Sequence, residues 1–204
     1  MSNNEFKNKI DKLWLSFHAG GVANPLTVIE QITFLMFVRL MDITDSRNQR
    51  RDERLNQGYQ GIYNESDPQN DRRRWKNFKR SETPDVLFEV VRDEVFPHLR
   101  ELGENRDGFG EYLKHATLMV QKKSTLVEAV DIIDSLPLDQ GDKKGDLYEY
   151  MLDKLRQAGI GGQFRTPGHI IELMVKIIDP QASEKICDPA CGTSGFLIGA
   201  INHI

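Results

Sequence analysis

The sequence predicts a mainly α protein, an N-terminal helical bundle followed by the start of a doubly wound α/β domain. Three observations carry that expectation. Apolar residues recur at three-and-four spacing through most of the first 159 positions. Asn24-Pro25, Thr83-Pro84 and Thr166-Pro167 pair a capping residue with proline, the usual opening of a helix. After Gly161-Gly162 the pattern changes to helix, short strand, glycine-rich turn and helix.

Each element follows from its residues. Ile10, Leu13, Trp14 and Phe17 line one face of a first helix that Gly20-Gly21 ends. Asn24-Pro25 opens a second from Leu26 to about Asp45. Its centre, Val28 to Met41, is apolar nearly all round except for Glu30, Gln31 and Arg39, as in a helix surrounded by others. Ser46 to Ser81 is charged and rich in Asn and Gly, too polar for core, and is expected to be irregular or functional. Thr83-Pro84 begins a helix with Val86, Leu87, Val90, Val91 and Val95 as its stripe, stopping near Pro97. Thr125 and Glu128 have capping-box spacing ahead of Leu126, Ala129, Val130 and Ile133. Leu147, Met151, Leu152 and Leu155 share one side of a helix from Asp146 to Ala158, with Gly159 at its stop. Thr166-Pro167 caps a helix with Ile170, Ile171, Met174, Val175 and Ile178 inward, ended by Asp179-Pro180; Lys185 to Asp188 reads as a strand.

Composition excludes several classes. Charged residues make up 28% of the 204-residue chain, yet the net charge is only −4, so contact with nucleic acid requires a local patch. The polar N-terminus MSNNEFKNKI has no signal-peptide character, and ITFLMFV is far shorter than the roughly 20 residues of a bilayer span. A cytoplasmic protein without a membrane association is expected. Cys187 and Cys191 are too few for a disulfide framework and lack the second pair of a zinc site. The histidines are scattered, and no G-x-S-x-G stands anywhere.

The stretch DPACGTSGF, residues 188–196, carries the most chemistry. It runs from a strand end into a helix, where α/β sheets bind ligands on free backbone N–H groups. Gly192 and Gly195 let the backbone approach a ligand; Asp188 either accepts from a ligand ammonium or hydroxyl, or braces the turn. Neither G-x-G-x-x-G nor G-K-[ST] is present, which disfavours phosphate. Taken alone, the turn fits a ligand loop and a purely structural connection equally.

It is not alone. DLYEYML at 146–152, GGQFRTP at 161–167 with its helix HIIELMV, and CDPACGTSGFL at 187–197 stand in that order. On these blocks the chain resembles the modification (M) subunits of type I restriction-modification systems, S-adenosylmethionine-dependent adenine-N6 DNA methyltransferases with a Rossmann-like methyltransferase domain. The resemblance implies a helical domain over residues 1–159 and the beginning of the methyltransferase domain over 160–204. It implies cofactor contacts from Gln163, Phe164, Arg165, Thr166, Pro167, Asp188, Gly192, Thr193, Ser194 and Gly195; Arg165 stands where relatives often carry an aromatic residue. A sulfonium with an amino acid tail suits an aromatic face, a carboxylate and free backbone donors. The plainer roles for Phe164 and Thr166 are a core contact and an N-cap.

The same resemblance implies DNA, a sequence-reading specificity (S) subunit, a second modification subunit and a restriction (R) subunit as partners. Its catalytic N-P-P-[YF] motif does not occur in these 204 residues, so the chain reads as the front part of a longer enzyme and is expected to be inactive alone. A tail that is poorly ordered or leans on the helical domain is expected with it. A non-catalytic helical assembly module with a vestigial cofactor loop is the alternative.

RRRWKNFKR, residues 72–80, surrounds Trp75 and Phe78 with positive charge. Arg73, Arg74, Lys76 and Lys79 are candidates for DNA phosphate contacts; a solvated loop with Trp75 and Phe78 docked on the core is the duller reading. Arg47, Arg50, Arg51 and Arg54, diluted by Asp45, Asp52 and Glu53, read as a solvent-facing helix end.

Overall fold

The computed structural model describes residues 3–56, 58–59, 61–63, 68–104, 110–139, 149–155, 157–158 and 166–204. They fall into two compact units, Met1–Ile160 and Gly161–Ile204.

In the first unit, α1 (Asn3–Ala19) buries Phe6, Ile10, Leu13 and Phe17 along one stripe, four residues at helical spacing. The central helix α2 (Pro25–Arg54) starts as its cap predicts, with Asn24 Oδ1 accepting from the Leu26 N–H at 2.9 Å. Val28, Ile32, Leu35 and Val38 are fully buried. Polar residues of α2 face inward too, and Gln31 and Arg39 bond to backbone outside the helix. The Gln31 amide donates to Thr117 O and accepts from Met119 N–H, both at 2.9 Å, fixing the extended segment after α7. Arg39 donates to Ile133 O and to Leu136 O, the latter at 2.6 Å, adding a second donor to carbonyls that close the turns after α8.

The expected end of this helix near Asp45 is wrong by more than two turns. Ser46–Arg54 holds no Gly or Pro and is rich in Arg, Gln and Glu, so helical propensity extends α2 into solvent without an apolar stripe. The polar stretch that follows is also structured: α3 (Pro68–Arg73) and α4 (Trp75–Phe78) place Trp75 and Phe78 in the core at 2% exposure each.

The helix begun by Thr83 does not stop at Pro97. Thr83 Oγ1 accepts from the Val86 N–H at 3.3 Å to open α5 (Pro84–Val90), which passes through a π-helical turn, Val91–Val95, into α6 (Phe96–Glu104). The Phe96 N–H bonds five residues back to Val91 O. This widened turn relieves the clash a proline ring makes with the preceding turn of a regular helix. Phe88 and Phe96 join the buried stripe, whereas Val86 is half outside it.

A short helix, α7 (Gly110–Leu113), packs on α6. Helix α8 (Lys123–Asp134) buries Leu126, Ala129, Val130 and Ile133 against α1, α2 and α5. It starts two residues earlier than Thr125, so the capping box is not formed. Thr125 is buried, and Glu128 instead accepts from Ser16 Oγ and pairs with Lys12 at 3.1 Å. Helical residues 149–155, α9, attach to α1 through Asp11, which takes the Tyr150 hydroxyl at 2.7 Å and Lys154 Nζ at 2.5 Å. Leu147 and Gly159 lie outside the described residues.

The second unit pairs α10 (Gly168–Ile178) with α11 (Gly195–His203). The backbones approach closely, since a Cβ on Gly199 would lie 2.8 Å from Ile171 Cγ2. Ile171 and Val175 are buried; Ile170, Met174 and Ile178, expected inward, are exposed. Asp179 ends α10 in the left-handed region at φ 48°, and its Oδ1 lies 2.8 Å from His203 Nε2 on α11. Within the second unit, α11 packs on α10. Lys185 to Asp188, expected as a strand, forms none: among the described residues no second strand offers a ladder. No helix among the described residues is long and apolar enough to cross a membrane.

Candidate functional site

The turn before α11 is built by two residues with positive φ and one carboxylate. Gly192 has φ 50° and Ser194 φ 60°. Only Ala190 O, at 3.9 Å, lies near the place of a Gly192 Cβ, so the need for glycine there is torsional rather than steric. The Ser194 N–H closes the turn onto Cys191 O at 2.6 Å. Asp188 Oδ1 accepts from the Ala190 N–H at 3.1 Å and so braces the loop. Its second oxygen remains available among the described residues.

Ser194 occupies the N-cap of α11 without a side-chain capping bond, which leaves the first-turn N–H groups of the helix open. An open helix N-terminus favours a carboxylate; an Asp carboxylate favours an ammonium. The two lie within seven residues of each other, and together they suit the zwitterionic end of an amino acid. Thr193, Cys187 and Cys191 are exposed at the same turn, the cysteines as free thiols, and Gly195 is half-buried against Ile171. Beside it, a cleft of about 590 Å³ is walled by Met174, Ile178, Ile186, Cys187 and Phe196.

Thr166 and Pro167 stand at the start of α10, with Pro167 O accepting from the Ile170 and Ile171 N–H groups at 3.0 and 3.1 Å. Pro167, not Thr166, is the N-cap, and no side chain caps the helix. Gln163, Phe164 and Arg165 lie outside the described residues.

The basic run around Trp75 is docked rather than solvated. Arg74 is 3% exposed and faces two carboxylates of α2, Asp45 at 2.5 Å and Asp42 at 3.8 Å, with its guanidinium over the Tyr63 ring. Burial pushes the Asp42 carboxyl above its ordinary range, and the Lys76 backbone N–H and the Arg74 charge only partly offset it. Trp75 Nε1 donates to Asp134 at 2.9 Å, and Lys79 pairs with the same carboxylate at 2.7 Å. Arg73 approaches His98 Nδ1 at 3.5 Å. Arg74 therefore points into the core, away from any phosphate. Lys76 alone of the four candidates is exposed, at the mouth of a cleft of about 860 Å³ that Arg47, Arg50, Arg51 and Arg54 also line. Those four arginines, expected as a solvent-facing helix end, are exposed on the last turns of α2.

Residues 6–133 match the family described as the HsdM N-terminal domain, which is well over half of the chain. The chain belongs to that family. Residues 139–204, which hold the turn at 188–195, match the family described as N-6 DNA Methylase. A curated relative, the type I restriction enzyme EcoEI methylase subunit of Escherichia coli, is 32% identical over 90% of this chain and 38% of its own length. The StySJI methylase subunit of Salmonella typhimurium is 26% identical over 100% of this chain and 36% of its own length. The chain thus spans well under half the length of these relatives. A crystal structure of a modification subunit of a putative type I restriction enzyme from Vibrio vulnificus YJ016 aligns with TM-score 0.63 at 23% identity, covering 97% of this chain and 46% of that one, and shares its fold.

Proposed function

We propose that these residues supply the N-terminal helical domain, 1–159, and the methyl-donor-binding start, 160–204, of a type I methylase subunit. The whole enzyme transfers a methyl group from S-adenosylmethionine to adenine N6 in DNA, and works with a specificity subunit, a second methylase subunit and a restriction subunit. The observation that carries this reading is the Asp188–Gly195 turn, where a carboxylate with a spare oxygen sits beside an uncapped helix N-terminus. The relatives' names support it.

S-adenosylmethionine, when bound, supplies a methyl group activated on a cationic sulfur. In this chain Asp188 would accept from the donor's ammonium, and the N–H groups opening α11 would bind its carboxylate. Gly192 holds the turn in the left-handed region that presents those N–H groups. Thr193 and Ser194 stand along the same edge, and the family resemblance adds Gln163, Phe164, Arg165, Thr166 and Pro167 as residues that would contact the donor. In the whole enzyme the adenine N6–methyl bond would form as the sulfur–methyl bond breaks, the sulfur leaving as a neutral thioether and the amine releasing one proton, with sulfur, methyl and amine held in line.

Calorimetric titration of the protein made from its complete reading frame with S-adenosylmethionine tests this. Saturable heat is expected, with affinity weakened at least about tenfold in Asp188→Ala, the loss of one charge-assisted contact of roughly 1.5–3 kcal/mol. No heat at high protein concentration, or heat indifferent to Asp188, would overturn the reading. An N-P-P-[YF] run later in the frame separates an enzyme from a purely structural module.

A further inference from the structure

Seven basic and three acidic side chains line the cleft between the C-terminal part of α2, α4 and the end of α8, in a chain whose net charge is −4. The acidic groups are largely committed. Asp134 holds Lys79 and Arg39, and Asp42 faces buried Arg74 and accepts the Lys76 backbone N–H at 2.9 Å. Arg51 is paired with Asp52 at 3.0 Å. Arg47, Arg50, Arg54 and Lys76 are exposed and have no ion pair among the described residues.

We propose that this cleft seats the phosphodiester backbone of duplex nucleic acid. At about 100° per residue, positions 47, 50, 51 and 54 fall within roughly a 100° arc of α2, so all four side chains leave the same face. From Arg47 to Arg54 the helix rises about 10 Å, the axial rise of about three phosphates on one strand. A rigid row of like charges matches a rigid row of opposite charges. Protein interfaces centre instead on clustered aromatic or apolar anchors; here the aromatic residue, Trp75, is 2% exposed, and Leu55, 58% exposed, stands as the one exposed large apolar side chain among the described residues of the lining. The choice of a duplex over an acidic protein rests on the methylase reading; the charge row does not.

The test is fluorescence anisotropy of a labelled duplex of about 20 G·C pairs, free of adenine and of methyl donor, titrated with the full chain from about 20 to 200 mM KCl. Arg47→Gln/Arg50→Gln/Arg54→Gln is compared with Arg92→Gln/Lys114→Gln/Lys123→Gln, three exposed cations that are already paired with acids. The first variant is expected to lose at least about tenfold in affinity at low salt and about 2–3 units of the log–log salt slope; the second is expected to change little. Lys76→Gln, with about one unit of slope, serves if the triple variant does not fold. No binding at about 20 mM KCl, an unchanged slope, or displacement of the duplex by polyglutamate as readily as by unlabelled duplex overturns the proposal. Calorimetric donor binding should be untouched by these variants. Its absence with duplex binding intact would sink the methylase reading and leave the cleft standing.

Discussion

The helices before residue 160 and the two after it are made from similar apolar side chains but dispose of them differently. In the first unit Ile10, Leu13, Ile32, Leu35, Leu99, Leu126 and Ile133 are fully buried. In the second, Leu173, Ile177, Ile198 and Ile201 are 55, 74, 52 and 73% exposed, and only Ile171, Val175 and Ala200 are buried apolar residues of its two helices. One unit closes a core around a central helix and can even bury a charge cluster in it. The other has a single seam, Ile171 and Val175 against Gly195 and Gly199, which two helices alone cannot enlarge. Stability therefore resides in the first unit, and the ligand turn hangs on the less consolidated one.

Both tryptophans, Trp14 and Trp75, lie in the first unit, so their fluorescence follows its unfolding in urea. The largest loss is expected for Arg74→Met, which strands Asp42 and Asp45 in the core and should cost about 3–5 kcal/mol. A value near zero would show that the two carboxylates escape to water. Leu35→Ala, at a fully buried site in α2, follows with about 2–4 kcal/mol.

Acid separates two carboxylates of the first unit. Burial pushes Asp134 up, but hydrogen bonds from Lys79 and Trp75 and the charges of Lys79 and Arg39 outweigh it, leaving it below its ordinary 3.8. A lowered carboxyl stabilises the fold above its unfolded pKa, and that contribution is lost as pH falls from about 4 through the folded value. Asp42, raised, acts oppositely and favours the fold as it protonates. Urea midpoints between about pH 5 and pH 3 should fall less steeply in Asp134→Asn than in the parent. An unchanged slope would mean the Lys79 and Trp75 contacts are not kept in solution. The smallest effect belongs to Leu173→Ala in α10, expected within about 0.5 kcal/mol in the amide hydrogen exchange of the second unit, which holds no tryptophan, because the side chain is already largely in water. A loss of several kcal/mol there would break the contrast between the units.

Much of this architecture was legible in the residues. Asn24 and Thr83 cap the helices they were expected to cap, and the stripes of α1, α2 and α8 point inward as their spacing requires. What escaped prediction depended on contacts distant in sequence. Arg74 reads as solvated until Asp45, 29 residues earlier in the chain, and Asp42, one helical turn before that, are seen to face it. Glu128 has capping-box spacing to Thr125, yet Ser16 and Lys12 of α1 claim its carboxylate. Ser46–Arg54 is helical by propensity alone, which an apolar pattern does not reveal. In the candidate site, the glycine turn and the role of Asp188 as a brace could be read from DPACGTSGF, while a strand at Lys185–Asp188 needs a neighbour that no local sequence provides.

The π-helical turn at Val91–Val95 sets a constraint on length rather than on identity. Each residue added to or removed from a helix rotates everything beyond it by about 100°. Deleting one residue there would return the ladder to regular pitch and drive the Pro97 ring against the preceding turn, whereas inserting one more would swing Phe96 and Leu99 out of the core. Insertions and deletions should therefore be tolerated worse in this short span than most single replacements, although none of its side chains forms part of either proposed site.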